Sequence, residues 1–299
     1  MNDDTKTHLV QPFRALRPAP RHAAEVAAPP YDVLNSDEAR ALAAGKPNSF
    51  LHISKPEIDL PEDTDAHAPE VYAKGAENMA RMISDGVLRR DERPSYYIYR
   101  VETHGHVQTG LAAGGSVAAY EANLIRKHEL TRPDKEDDRV AQIEAVGAHT
   151  GPVFTVHKPD AALAEIMKRG AAATPDYSAQ LGDVRHTVWT IDQRADIAGV
   201  TEAFDRLGVI YIADGHHRSA AAGRVAAARP DAPDQHFLIV SFPAEEVQIL
   251  DYNRVVRDLG GMTPAEFLGK LGDAFDVTAS QTPAKPSQPS SFGLYLDGG

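Results

Sequence analysis

The chain has 299 residues, no cysteine and a formal net charge of −12. These facts exclude disulfides, thiolate catalysis and cysteine-based metal sites, and they argue against a nonspecific nucleic-acid surface, which needs a basic face. With 42% hydrophobic and 25% charged residues, and no apolar run of membrane-spanning length, the composition is that of a soluble globular protein. The first residues, Met1-Asn2-Asp3-Asp4-Thr5-Lys6, are polar and lack the apolar core of a secretory signal. A cytoplasmic setting fits. The expected partner is a small molecule rather than nucleic acid or membrane. Local positive groups must hold any anionic substrate, because the overall charge opposes it. Oligomeric state is not legible.

In chain order, Ala28-Pro29-Pro30-Tyr31-Asp32-Val33 comes first. Paired prolines stiffen it, either to hold Tyr31 and Asp32 at a site or to make a plain turn. Asn35 with Glu38 resembles a capping box opening a short helix that ends at Gly45. A second helix is predicted over 68–84, with Tyr72, Met79, Met82 and Ile83 on one side. Tyr96 to Val101 reads as a strand that turns at His104-Gly105-His106 and returns to about Ala112.

The segment from His128 to Arg139 is dense in charge. It is not a zincin motif, because Arg132 stands where a second histidine is needed. The default reading is a solvated face. His128 and Glu129, however, follow the apolar Leu124-Ile125 at an element end, where they could serve proton transfer. Lys135 and Arg139, four apart, would share a helix face and could clamp phosphate. Leu163, Ile166 and Met167 mark a helix closing at Gly170; His186 to Ile191 reads as a strand and 196–207 as a helix.

The most informative stretch follows. Gly208 to Ala213 reads as a buried strand, Asp214-Gly215-His216-His217-Arg218 comes at once, and Ser219 to Arg229 is strongly helix-forming. A strand turning through glycine into a helix presents free backbone N–H groups and the positive end of the helix dipole, an anion site. A carboxylate, two imidazoles and a guanidinium there exceed what a turn requires. The signal names a site, not a reaction. Beyond it, His236 to Phe242 and Val247 to Tyr252 read as a hairpin. Thr263-Pro264-Ala265-Glu266 opens a helix with Phe267, Leu268, Leu271 and Phe275 on its apolar face. Residues 280–291 read as a loop and Phe292 to Leu296 as a final strand. The alternation of elements predicts an α/β fold with α+β mixed sheets. The expected division is an N-terminal α/β region over 1–160 and a second over 161–299, the latter cut short at its C-terminal end.

Pro29-Pro30-Tyr31-Asp32-Val33, His128-Glu129 with Thr131, Lys135 to Arg139, and Ile212-Ala213-Asp214-Gly215-His216-His217-Arg218 occur in this order in the domain of unknown function 1015 family, which the whole chain resembles. Ser219 departs from that pattern, where an aromatic commonly follows the arginine. So does Asp251-Tyr252-Asn253-Arg254, where Pro-Thr-His-Arg is usual. The helix-start motif also resembles the phosphate box of ParB and sulfiredoxin-like folds, a group that includes free-serine kinases. That resemblance implies a ParB/sulfiredoxin-like nucleotide-binding core with an additional mixed α/β region, and a phosphate site at Asp214–Arg218. Sulfiredoxin chemistry itself needs a cysteine, and chromosome-partitioning DNA binding is opposed by the charge.

The expected activity is phosphoryl transfer from ATP or ADP, with Mg²⁺, to a small hydroxyl compound, L-serine first. In that reading Glu129 is the base, with His128, Asp214 and His217 also catalytic. Gly215, His216, His217, Arg218, Lys135 and Arg139 bind phosphate, Asp214 holds the metal, and Tyr31 and Asp32 line the acceptor pocket. The alternatives are a metal-dependent phosphohydrolase and a non-enzymatic nucleotide-binding regulatory module.

Overall fold

A computed structural model describes residues 8–232 and 235–296. Contacts divide the chain into a unit from Met1 to Val247 and another from Gln248 to Gly299. The first contains β1 (Val10–Gln11), β2 (Leu16–Pro18), α1 (Ala23–Val26), α2 (Ser36–Ala43), α3 (Leu51–Ser54), α4 (Pro69–Ser84) and β3 (Leu88–Arg90). Then come β4 (Tyr96–Thr103), β5 (His106–Ser116), α5 (Val117–Glu121), β6 (Ile125–Arg126), α6 (Pro133–Val146) and β7 (Val153–His157). It ends with α7 (Ala161–Ala171), β8 (Tyr177–Leu181), β9 (Val184–Ile191), α8 (Arg194–Leu207), β10 (Ile210–Asp214), α9 (His216–Ala228) and β11 (His236–Pro243).

The fold is mixed α/β. A nine-stranded sheet runs β6-β10-β7-β11-β5-β4-β9-β8, with β1 also paired to β5. β6/β10 and β7/β11 are parallel and the other pairs antiparallel. The sheet takes strands from both sides of residue 160, so the compact unit runs on to Val247, past the division expected from sequence.

Local signals act as expected in several places. Asn35 accepts from the Glu38 amide at 2.9 Å while Glu38 reaches back to the Asn35 amide at 2.9 Å, which completes the capping box. His104 and Gly105 both take positive φ, the two-residue turn that suits the β4–β5 hairpin. In α4, Met79 and Met82 are buried. Ile83, on the same side, is 44% exposed.

Val247 to Tyr252 does not form the expected strand. β11 already lies between β7 and β5, so neither of its edges is open, and a 3-10 turn at Ala244–Glu246 follows it. In the second unit, α10 (Pro264–Leu271) opens with the capping box of Thr263 and Glu266. Phe292 to Leu296 is not a strand, and the described residues of this unit include no strand for it to pair with.

The main core lies between the sheet and α5, α7, α8 and α9. Ile98, Leu111, Ile125, Phe204, Ile210, Ile212, Phe237 and Ile239 are fully buried in it. A second cluster joins Val26, Ile53, Met79, Met82, Val87 and Leu88. His157 is buried at the end of β7, its Nδ1 2.8 Å from Ser241 Oγ. Burial lowers its pKa to about 4, and burial together with the neighbouring His236 lowers that of His149 to about 4. Both are neutral in the folded protein. Between pH 6.5 and about 4 the unfolded chain takes up these protons and the folded one does not, so stability falls as pH falls through that window. Each histidine removes on the order of 3 kcal/mol across it. Urea unfolding at pH 7, 5.5 and 4.5 is expected to show this loss, with a shallower slope in His157→Gln. An unchanged slope in that variant would contradict the assignment.

Candidate functional site

The site forms where β10 ends and α9 begins. Ile210 and Ile212 anchor β10 in the core. The register against β7 shifts between Ile212 and Asp214, and such a bulge re-aims the side chain that follows it. Gly215 then takes φ +97° and starts α9. A Cβ there would meet Val153 Cα at 3.2 Å, so both conformation and space call for glycine. No side chain caps this helix end, which leaves the first backbone N–H groups of α9 for a ligand or water.

Arg218 is the hub. Its side chain is 15% exposed and lies against Gly151 and Gly215, where a Cβ would touch it at 3.4 Å in each case. Nη1 donates to the Pro152 carbonyl. Nη2 donates to Asp214 at 2.9 Å and to Asp32 at 3.2 Å. Asp32 arrives from the stiff proline segment, which ends in a 3-10 turn at Tyr31–Val33. Tyr31 lies under the guanidinium of Arg139, 3.9 Å from its ring centre. Burial, against the opposing charge of Arg139, raises the Tyr31 phenol and keeps it protonated.

Arg139 is held by Asp138, which accepts its Nε at 2.9 Å. Asp138 also accepts from Tyr72 and His67, both at 2.9 Å. Burial alone would raise the Asp138 carboxyl, but the charge and hydrogen bonds of Arg139, with those of Tyr72 and His67, hold it below the ordinary carboxylate range. Tyr31, Arg139, His149, Thr150, Gly151 and Arg218 surround a cavity of about 20 Å³, room for roughly one water molecule.

The parallel pairing of β6 with β10 brings the segment after β6 to the same end of the sheet. His128 meets His216 edge to face at 4.5 Å. The His128 amide donates to His216 Nε2 at 3.4 Å, and His216 Nδ1 faces Glu129 at 3.4 Å. His216 is 3% exposed and Glu129 60%. Burial, then the neighbouring His128, pushes the His216 imidazole down against the pull of Glu129 and Asp214. The Arg132 amide donates to His217 Nε2 at 3.1 Å. Helix α6 packs against α9, with Arg224 bridging Glu136 at 3.3 Å and Asp137 at 2.7 Å.

The fold thus gathers Tyr31, Asp32, His128, Glu129, Arg139, Asp214, Gly215, His216, His217 and Arg218 into one region. Lys135 is exposed on α6, and its ammonium has no hydrogen bond or ion pair among the described residues. Sequence reasoning missed Gly151, the Pro152 carbonyl and Asp138. The first two come from a short loop with no local pattern, and Asp138 sits inside a charge run that hides it. Among the described residues, no group of three or more histidine and carboxylate side chains is arranged to hold a metal ion.

The profile of one protein family matches residues 10–299, nearly the whole chain. The chain belongs to the family described as protein of unknown function, DUF1015. The segments through which the sequence resembles that family, around Tyr31, His128, Arg139 and Asp214–Arg218, converge here in space. No curated protein and no solved structure matches this DUF1015 chain. Among its described residues no helix is long and apolar enough to cross a membrane.

Proposed function

We propose that this protein transfers a phosphoryl group from ATP or ADP to a small hydroxyl compound, with L-serine the acceptor to which the ParB/sulfiredoxin-like resemblance points. The observation that carries the reading is the uncapped start of α9 beside Arg218, with Glu129 joined to the same helix turn through His216. Phosphoryl transfer is mostly positioning and charge neutralisation, and these groups supply both. The α9 amides and Arg218 bind the phosphates.

Arg218 is occupied by Asp32 and Asp214 in the structure. Incoming phosphate competes with these carboxylates for the guanidinium. Magnesium suits one or two carboxylates, so Asp214 and Asp32 would hold it, and it would supply charge neutralisation for the phosphates. Glu129 takes the proton of the acceptor hydroxyl as its oxygen bonds to phosphorus and the bond to the nucleotide breaks. Tyr31, as a neutral phenol, and Asp32 line the acceptor side.

Phosphorus NMR of the protein with ATP, Mg²⁺ and an amino-acid pool containing L-serine tests this. The expected result is a new phosphomonoester signal that grows with ADP and disappears when serine is left out. Inorganic phosphate alone, with the acceptor present, would contradict the transferase reading and favour hydrolysis.

A further inference from the structure

Residues 127–132 connect β6 to α6 without regular structure. Lys127 lies over the Tyr120 ring at the start of this loop. Past that point the loop has little apolar anchorage, and Leu130 is 94% exposed. Thr131 bonds to Glu136 and Arg132 to Asp134, both on the helix that follows. Its attachment to α9 runs through two imidazoles. His216 accepts the His128 amide and His217 accepts the Arg132 amide, so neighbouring residues on one helix grip the loop at points four residues apart.

An Nε2 that accepts a hydrogen bond carries no proton, so both rings hold theirs on Nδ1. In His216 that proton faces Glu129. The ring is buried and its two nitrogens face His128 and Glu129, which leaves it no direct path to a phosphate. We infer that His216 and His217 are positioning residues whose imidazoles fasten the Glu129 loop to the first turn of α9, while the backbone of that turn meets the anion. The paired histidines then have a mechanical purpose. Binding at the amides and placement of the base are coupled through one turn of helix. The kinetic side of this inference rests on Glu129 being the base; the fastening itself does not.

Amide hydrogen exchange and turnover, read on the full chain, separate the two. In His217→Ala the Arg132 amide is expected to exchange about tenfold faster, the effect of losing one hydrogen bond. In His217→Gln, whose side-chain carbonyl reaches the position of Nε2, protection returns. Turnover by His217→Ala falls in kcat with the nucleotide KM unchanged. Unaltered exchange at Arg132 in a folded His217→Ala protein would overturn the inference, as would a raised KM with kcat preserved. Long-range nitrogen NMR of the wild-type protein gives a readout that no variant is needed for. The His217 proton is expected on Nδ1, and a proton on Nε2 would overturn the inference. If the wild-type protein turns nothing over, phosphotransfer fails, and the exchange and tautomer results still decide the fastening.

Discussion

Glu129→Gln lowers kcat by on the order of 100- to 10,000-fold, the range general-base catalysis contributes, while nucleotide affinity is retained. Glutamine keeps the shape of the side chain and a carbonyl oxygen that can face His216 Nδ1 as the carboxylate does. What it loses is the capacity to take a proton. The carboxylate is 60% exposed, so the substitution leaves no buried group unpaired and the fold is expected to stand. Steady-state turnover with saturating nucleotide and acceptor reads the first effect, and calorimetric titration with nucleotide reads the second. Full turnover in Glu129→Gln would remove this residue from the chemistry. Lost nucleotide binding would mean that the loop carries phosphate rather than the base.

Arg218→Ala weakens nucleotide binding by about 2–5 kcal/mol, roughly 30- to 5,000-fold, the range for truncating one member of a hydrogen-bonded charge pair. The loss has two sources. The guanidinium no longer meets phosphate, and Asp32 and Asp214 are left without their shared cation on the path of an anion. Lysine does not restore the site. Its single ammonium cannot replace a planar fork that serves the Pro152 carbonyl on one nitrogen and two carboxylates on the other. Calorimetry with ATP and Mg²⁺ on the alanine and lysine variants checks this. Affinity preserved in both would place the phosphates elsewhere.

Those two residues also show how far the sequence could be read. Arg218 was legible because its neighbourhood is local: an apolar strand, a turn glycine and an alanine-rich helix adjoin without interruption. Glu129 was legible as a candidate base, set apart from a charged run by its place at an element end. Its link to His216, a residue far along the chain, depends on the pairing of β6 with β10. With two residues, β6 is too short to announce itself by alternation. The capping boxes at Asn35 and Thr263 and the hairpin turn at His104-Gly105 form from bonds within a few residues and were readable for that reason.

The hairpin expected from Val247 to Tyr252 failed for the opposite reason. Its apolar content fits a strand, but which edges of β11 remain open is decided by β5 and β7, far away in sequence. The Pro152 carbonyl and Gly151 are missed on the same ground, since a carbonyl oxygen has no residue identity to read and the space for Arg218 is defined only after folding. The histidine pair was legible as chemistry but not as attachment. Two adjacent imidazoles suggest a ligand site until the structure shows which backbone amides they accept.

The proposed phosphotransfer requires nucleotide phosphates to bind at the β10–α9 junction. Titrating ATP with Mg²⁺ into the nitrogen-15-labelled protein and following the backbone amides tests it most directly. Saturable shifts that are largest at Gly215, His216, His217 and Arg218, and lost in Arg218→Ala, are the predicted result. Saturable binding that leaves those four amides unmoved would contradict the account.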